Sequence, residues 1–329
     1  SALIVALLIG RRVVNGEPGV ADAKVTAVRQ AVVKLDYRPN FTASSLRRAN
    51  GRTAAIGAVL EDVGNPFSSA LHRALEDVAR DRNVVIFTGS VDEDPARERS
   101  LIHAFTNRQA DALVVVPASD DQSYLGSDVS AGTPIVFVDR PAVGLNVDAV
   151  LVDNLAGAAE AVHHLVANGH RDIAYLGDLR SIATARQRFL GFKEALSDHG
   201  IRPAPEHIVH DLHTEVDAHR AALRLLSGEH QPTALFASQN LVTIGVIRAL
   251  RDQGRQHQVA LIGFDDFPLA DLLQPPVTVV AQDPSTMGRL AASLIFRRLD
   301  GETWEPRTHL VPTQLIIRGS GELPGPYLR

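Results

Sequence analysis

The sequence predicts an α/β protein with two doubly wound lobes, preceded by a small α-helical head. Beyond Ala54, short β-branched runs alternate with amphipathic helices, which is the pattern of βαβ units. Runs such as LVVV (113–116) and IVFVD (135–139) are apolar throughout, as in parallel strands that are covered on both faces. The strands are too numerous for one open sheet, and 329 residues suffice for two or three domains. We therefore expect two lobes.

The first cycle of strands and helices precedes residue 150. Strands are expected at four short apolar runs, and helices at three segments with helical periodicity. The predicted strands are Ala55–Leu60, Val84–Thr88, Ala112–Val116 and Ile135–Asp139, and the predicted helices are Ser68–Arg82, Pro95–Arg108 and a short one near Tyr124–Ser130.

A second cycle begins at the strand Val150–Asp153, and a single strand, Leu310–Ile317, closes the chain. Between them lie the predicted strands Asp172–Leu176, Ile208–Val209, Ala234–Ala237, Ala260–Gly263 and Val277–Ala281, and the predicted helices Asn154–Asn168, Ala183–His199, Val216–Leu226, Leu241–Gln253 and Pro284–Leu299. Open α/β sheets bind ligands beyond the carboxyl ends of their strands. The loops that follow the strands are therefore the candidate sites.

Composition and charge exclude several classes of protein. The absence of cysteine excludes thiol catalysis, disulfides and cysteine metal sites. The longest apolar run, Ala2–Ile9, is about half the length of a membrane span, so we expect a soluble, cytoplasmic protein. Residues 1–57 hold nine basic and three acidic side chains, whereas the whole chain has a net charge of −5. A basic head on an acidic body suggests different partners at the two ends, although a solvated basic surface is the alternative.

The head contains two predicted helices. Asp22–Leu35 places valines at helical spacing, and the Tyr37-Arg38-Pro39-Asn40 segment ends it because a residue before proline avoids the α region. Asn40 can cap a second, short helix over Phe41–Arg48, which is marginal in water on its own. Such a helix could fold upon docking into DNA with Leu46 wedged between base steps, or it could be a linker helix packed on the body.

Polar residues at three strand ends form the candidate ligand site. Asp139 and Asp265 each follow a buried strand, where a carboxylate can accept hydrogen bonds from vicinal hydroxyls or ring N–H groups. Asn65 and Phe67 follow the first strand. The alternative roles are turn or helix caps for the polar residues and core packing for Phe67.

A metal site at the histidines near residue 210 is disfavoured. His207, His210 and His213 lie close together in sequence, beside Asp211. In an extended segment, however, residues 207 and 213 share one face and residue 210 points to the other. We therefore expect no metal here, and a solvated loop histidine remains an alternative for His213.

Several motifs resemble the lactose-repressor (LacI) family of bacterial transcription regulators over residues 11–320. They agree with that family in order and spacing, and they are VVNGEPGV (13–20), LDYRPN (35–40), ASSLRR (43–48), GRTAAIGAVLEDVGNPF (51–67), NGHRDIAYLGD (168–178), ARQRFLGF (185–192), ALFASQN (234–240), LIGFDDF (261–267) and PPVTVVAQDPSTMGRLA (275–291). The resemblance implies an α/β fold of two Rossmann-like lobes of the periplasmic-binding-protein type, after a helix-turn-helix and a hinge helix.

The resemblance also implies the division of the chain. Residues 1–38 form an atypical, partial helix-turn-helix and residues 39–53 the hinge helix and linker. The N-lobe comprises 54–152 plus 283–308, and the C-lobe comprises 153–282 plus 309–323. The helix-turn-helix is partial because apolar residues at 6–10 stand where the family has a polar recognition helix, and apolar side chains cannot read base edges.

Function and site residues follow from the same resemblance. It implies a homodimeric repressor on palindromic operator DNA, controlled by a sugar, polyol or nucleobase between the lobes. The apolar stripe of the helix over residues 69–82 is a candidate for the dimer seam, and packing on its own sheet is the alternative for part of it. The implied DNA-binding residues are Arg12, Asn15, Tyr37, Asn40, Ala43, Leu46 and Arg47. The implied effector-binding residues are Asn65, Phe67, Asp139, Arg186, His213, Gln239 and Asp265.

Two other classes are weaker candidates. A periplasmic-type solute-binding protein without DNA function shares the core fold, but the basic head argues against it. An enzyme is disfavoured because the sequence has no phosphate-binding glycine loop and no nucleophile elbow. We expect no catalytic residue, cofactor or metal, and no membrane partner.

Overall fold

The structure is a computed structural model that describes residues 9–10, 12–13, 19–35 and 53–328. In the head it contains helix α1, Asp22–Lys34, which confirms the helix predicted there. The valines of its apolar stripe are half-buried, whereas Leu35 just beyond its end is 75% exposed. The predicted hinge helix over Phe41–Arg48 lies outside the described residues. Within those residues, no helix has both the length and the apolar character to cross a bilayer.

The first lobe is a six-stranded parallel sheet in the order β11-β5-β4-β3-β1-β2. Its strands are β1 (Ala55–Leu60), β2 (Val85–Ser90), β3 (Ala112–Val115), β4 (Ile135–Val138), β5 (Asp148–Val152) and β11 (Thr308–Val311). Its helices are α2 (Pro66–Asp81), α3 (Pro95–Asn107), α4 (Gly126–Ser130) and α9 (Pro284–Leu299).

Alternate residues of these strands explain why the runs are apolar throughout. Ile56 and Leu60 of β1 face a core shared with α2 and α9, whereas Val59 faces a second core beneath α3. Both faces of the sheet are therefore covered, as expected of parallel sheets.

The second lobe has a sheet in the order β12-β10-β9-β8-β6-β7, parallel except that β12 runs antiparallel to β10. Its strands are β6 (Ile173–Leu176), β7 (Ile208–Val209), β8 (Ala234–Ala237), β9 (Ala260–Phe264), β10 (Thr278–Ala281) and β12 (Gln314–Ile316). Its helices are α5 (Asn154–Ala167), α6 (Ala183–Asp198), α7 (Glu215–Ser227) and α8 (Asn240–Asp252). The α/β fold with two doubly wound lobes is confirmed.

The chain passes between the lobes three times. The first passage follows β5, the second lies between β10 and α9, and the third joins β11 to β12. The single strand predicted over Leu310–Ile317 is wrong, because Pro312-Thr313 divides it into two strands of different sheets. The last passage to the second lobe accordingly falls after Val311, three residues beyond the predicted end of the N-lobe segment at residue 308.

The apolar stripe of α2, considered for a dimer seam, packs within its own lobe in the structure. Leu71, Leu75 and Ala79 are almost completely buried and pack against α9 within their own lobe. The close approach of the two helices explains this, because a Cβ on Gly288 would lie 2.7 Å from the carbonyl oxygen of Leu71. These three residues are internal packing, which is the alternative considered for the stripe from the sequence.

Candidate ligand-binding site

A polar cavity lies between the two lobes, at the carboxyl ends of both sheets. It has a volume of about 550 Å³, including its open mouth. Residues that follow β1, β4, β6, β8 and β9 line it, which is the position expected for ligands of open α/β sheets. Its size suits a small organic molecule.

Asn65 caps helix α2 on the first-lobe side of the cavity. Its Oδ1 accepts hydrogen bonds from the backbone N–H of Phe67 at 3.0 Å and from Nδ2 of Asn240 at 2.9 Å. Asn240 begins α8 in the second lobe, so this contact bridges the cavity. Phe67 packs against the first-lobe core and also lines the cavity.

Arg140 and Glu93 form a buried ion pair on the same wall. The Arg140 guanidinium donates to both carboxylate oxygens of Glu93, at 2.5 and 2.7 Å, and to the carbonyl oxygen of Pro117 at 2.8 Å. This bidentate pair fixes Arg140, whose Nε lies 3.6 Å from the carboxylate of the neighbouring Asp139, an ion pair without a hydrogen bond. Burial raises the pKa of the Asp139 carboxyl.

Arg188 of α6 forms the centre of the second-lobe wall. Its guanidinium donates to Asn154 Oδ1 at 2.7 Å, to the carbonyl oxygen of Ser238 at 2.8 Å and to Asp265 Oδ2 at 3.2 Å. It also lies 3.8 Å from the ring centroid of Phe264, in a cation–π arrangement. The other oxygen of Asp265 accepts from Gln282 Nε2 at 2.6 Å.

His213 lies between carboxylates of the two lobes. Its Nδ1 is 2.8 Å from Asp178 Oδ1, and its Nε2 is 4.0 Å from Glu61 Oε1. The hydrogen bond to Asp178 raises the pKa of His213, and burial opposes this rise. A cationic ring can therefore donate towards both lobes.

Six of the seven residues predicted for the site lie together on the cavity wall. These are Asn65, Phe67, Asp139, His213, Gln239 and Asp265. Gln239 caps α8, accepting from the N–H of Leu241 at 2.9 Å. The second-lobe helix α8 thus presents two amide side chains, of Gln239 and Asn240, to the cavity.

Arg186 is not in the cavity, and its prediction as the cleft arginine is wrong. Its half-exposed guanidinium forms an ion pair with Asp120 of the first lobe, at 2.8 and 3.0 Å. Residues two apart on a helix face opposite directions, and Arg188 has the inward position. Arg188 shares a face with Thr184, Ala185, Gly191 and Phe192, all buried, and this spacing is a signal in the sequence that identifies it.

Sequence reasoning also missed Glu61, Glu93, Arg140 and Asp178. Three of these, Glu61, Arg140 and Asp178, lie within two residues of a strand end, so the rule that selected Asp139 and Asp265 extends to them as well. Glu93 carried no such signal, because it lies in a loop with a left-handed backbone, φ 58°, beyond β2.

The histidines near residue 210 do not converge. His207 contacts the carbonyl oxygen of His230, whereas the ring of His210 packs edge-on against Phe189. Asp211 pairs with Arg180 at 2.7 Å. In the described part of the chain, no three His, Asp or Glu side chains lie close enough to hold a metal ion.

Of the residues predicted to contact DNA, only Arg12 lies within the described residues, and its side chain is exposed. The other six, Asn15, Tyr37, Asn40, Ala43, Leu46 and Arg47, lie outside them. Their assignment therefore remains a prediction.

Comparison with known proteins identifies the family. Residues 162–321 match a model described as a periplasmic binding protein-like domain. The HTH-type transcriptional regulator PtxS of Pseudomonas plecoglossicida is 31% identical over 304 residues, which covers 91% of this chain and 87% of the relative. A solved structure of a CelR–cellobiose complex is 27% identical with a TM-score of 0.72, covering 96% of this chain and 98% of that one.

The fold extends to more distant structures. A lac repressor dimer bound to operator has a TM-score of 0.83 at 21% identity, with coverage of 95% of this chain and 94% of that one. The two lobes are thus of the periplasmic-binding-protein type. Because the match to PtxS extends over 91% of the chain at 31% identity, the chain belongs to the LacI family of transcription regulators.

Proposed function

We propose that this chain is a DNA-binding transcriptional repressor whose operator affinity is set by a small effector bound between the lobes. The effector class is a sugar or related polyol. The observation that carries the proposal is the cavity itself, in which hydrogen-bonding side chains from both lobes surround a space of about 550 Å³. CelR, a relative by structure, was solved in complex with cellobiose.

The cavity side chains have roles that suit a hydroxylated ligand. Asp265 and Asp139 accept hydrogen bonds from hydroxyls, and Arg188 donates to ligand oxygens while it holds Asp265 in place. Asn65 and Asn240 already touch across the cavity at 2.9 Å, so a ligand can be gripped from both lobes. Binding that favours one angle between the lobes shifts the population of that state.

The effector acts on DNA through the connection between lobes and head. Three chain passages join the lobes, and rotation about them changes how the head is presented. The exposed basic side chains of α1, Lys24, Arg29 and Lys34, suit contact with phosphates. A homodimer on a palindromic operator is part of the proposal, with Arg12 and Leu46 as contacts, and its place of action is the cytoplasm.

The test is selection of DNA fragments from a genomic library by the full chain, followed by affinity measurement at increasing salt. We expect a specific fragment with a twofold-symmetric site, bound by a dimeric species, with affinity that falls steeply as salt rises. Failure to enrich any fragment, together with tight sugar binding, would instead support the solute-binding protein considered from the sequence.

A further inference from the structure

The cavity contains more carboxylates than cationic groups. Two guanidinium groups, of Arg140 and Arg188, face the five acidic side chains of Glu61, Glu93, Asp139, Asp178 and Asp265. Both guanidinium groups are engaged, Arg140 with Glu93 and Arg188 with Asp265. Asp178 is hydrogen-bonded to His213. Two carboxylates, of Glu61 and Asp139, remain.

Neither Glu61 nor Asp139 has a hydrogen-bond donor for its carboxylate among the described residues. The nearest cationic atoms are His213 Nε2, 4.0 Å from Glu61, and Arg140 Nε, 3.6 Å from Asp139. Asp139 is 91% buried, with a relative exposure of 9%. A carboxylate that is shielded from water and accepts no hydrogen bond is costly to ionise, and burial raises the pKa of both groups, that of Glu61 to about 7.

A third side chain on the cavity wall, that of Gln282, has a hydrogen-bond partner for only one of its two polar atoms. Gln282 donates its Nε2 to Asp265, but its Oε1 is buried and has no partner in the described part of the chain. Against these unpaired acceptors, the cavity offers one unpaired buried donor, Nε of Arg140. The wall therefore lacks donors and positive charge. An ammonium group supplies both, since it carries three N–H donors and a charge.

We propose that the effector is a small organic cation, a primary amine carried on a sugar or polyol scaffold, whose ammonium group donates to the carboxylates of Glu61 and Asp139, which have no other hydrogen-bond donor among the described residues. This proposal rests on the effector-dependent function proposed above and narrows its ligand class. The hydroxyl groups of the scaffold are bound by Asp265, Arg188 and Asn65. A neutral sugar of the same size can donate hydroxyl hydrogen bonds to these carboxylates, but it supplies no positive charge to balance them.

The test compares matched ligands on the full chain by thermal shift and titration calorimetry at neutral pH. The probes are glucose, galactose and mannose, their 2-amino-2-deoxy counterparts, and the N-acetyl derivatives, which keep the shape but lose the charge. We expect at least one amine to raise the melting temperature and to bind about tenfold or more tightly than its neutral parent and its N-acetyl derivative.

Substitutions of Glu61 and Asp139 test whether their carboxylates cause the preference for an amine over its neutral analogues. Glu61→Gln and Asp139→Asn should each abolish most of it, whereas Glu76→Gln, an exposed acid on α2, should leave it unchanged. Equal binding of neutral and amino sugars, an undiminished preference in both cavity variants, or no response to any of the three amines would overturn the proposal. Operator binding, measured on the same protein, tests the regulator function separately, since it can persist when the amine preference fails.

Discussion

Arg186 and Arg188 differ in environment although they lie only two residues apart on α6. Arg188 is 95% buried and pairs with Asp265, whereas Arg186 forms a half-exposed ion pair. We expect Arg188→Ala to lower the free energy of unfolding by about 3–5 kcal/mol, because it leaves a buried carboxylate without its partner. Arg186→Ala should cost less than about 1 kcal/mol. Urea denaturation of both variants measures this, and equal losses would contradict the assignment of Arg188 to the cavity.

The Glu61 carboxyl gives the ligand-free protein a pH dependence of known sign. Burial, together with the nearby Glu93, raises the pKa of Glu61 from 4.5 to about 7, so the folded state binds this proton more tightly than the unfolded state. Its contribution to stability is therefore lost as pH rises from about 4.5 to about 7, by roughly 3 kcal/mol at most.

Glu61→Gln replaces the titrating carboxyl with an amide, so this contribution to the pH dependence of stability is lost. The variant should lose less stability than the parent protein between pH 4.5 and 7, and be the more stable of the two above pH 7. Chemical denaturation across that pH range is the measurement. Parallel stability curves for the two proteins would show that Glu61 is not the buried acid described here.

Individual site residues could be predicted from the sequence where they directly follow an apolar strand. Asp139 and Asp265 follow apolar runs directly, so the topology alone places them at the cavity. Glu93 could not be found in this way, because its place depends on a pairing with Arg140 from a loop that is 47 residues away in sequence. Which carboxylates stay unpaired is a property of the folded cavity.

At the scale of secondary-structure elements, the crossing of α5 and α6 depends on one glycine. A Cβ on Gly191 would lie 2.2 Å from the carbonyl oxygen of Leu155, so α6 cannot keep its position with a larger residue there. We expect Gly191→Ala to cost about 1–3 kcal/mol of unfolding free energy.

Gly126→Ala is the matched control, because no atom lies within 4 Å of its added Cβ at the start of α4. It should change stability by no more than about 1 kcal/mol, in the stabilising direction through helix propensity. Thermal denaturation of both variants measures the difference in their stabilities. If Gly191→Ala were as stable as Gly126→Ala, the close packing of α5 on α6 would be incorrect.

The positions of most strands could be predicted because a strand that is covered on both faces of its sheet is an apolar run in the sequence, bounded by turn residues. Ala55–Leu60 and Ala234–Ala237 were predicted with the bounds that the structure shows. The bounds of the last two strands could not be predicted, because β11 and β12 together form one apolar run over 310–317. The sequence does not show that the two strands belong to different sheets.

At the scale of the whole molecule, polar side chains make contacts between the two lobes at the cavity. Asn65 meets Asn240, which is buried, and Asp120 meets Arg186 in a half-exposed ion pair. An exposed ion pair contributes little, so the Asp120–Arg186 pair opposes a change in the angle between the lobes only weakly. A ligand that bridges the cavity therefore needs only modest binding energy to select one angle.

The measurement that tests the central claim most directly is the affinity of the full chain for its selected operator, with and without a ligand that raises its melting temperature. We predict a change of roughly 5–150-fold in the parent protein, an equal change in Arg186→Ala, and none in Asp265→Asn, whose cavity is altered. An operator affinity that stays the same when the cavity is saturated would contradict the account.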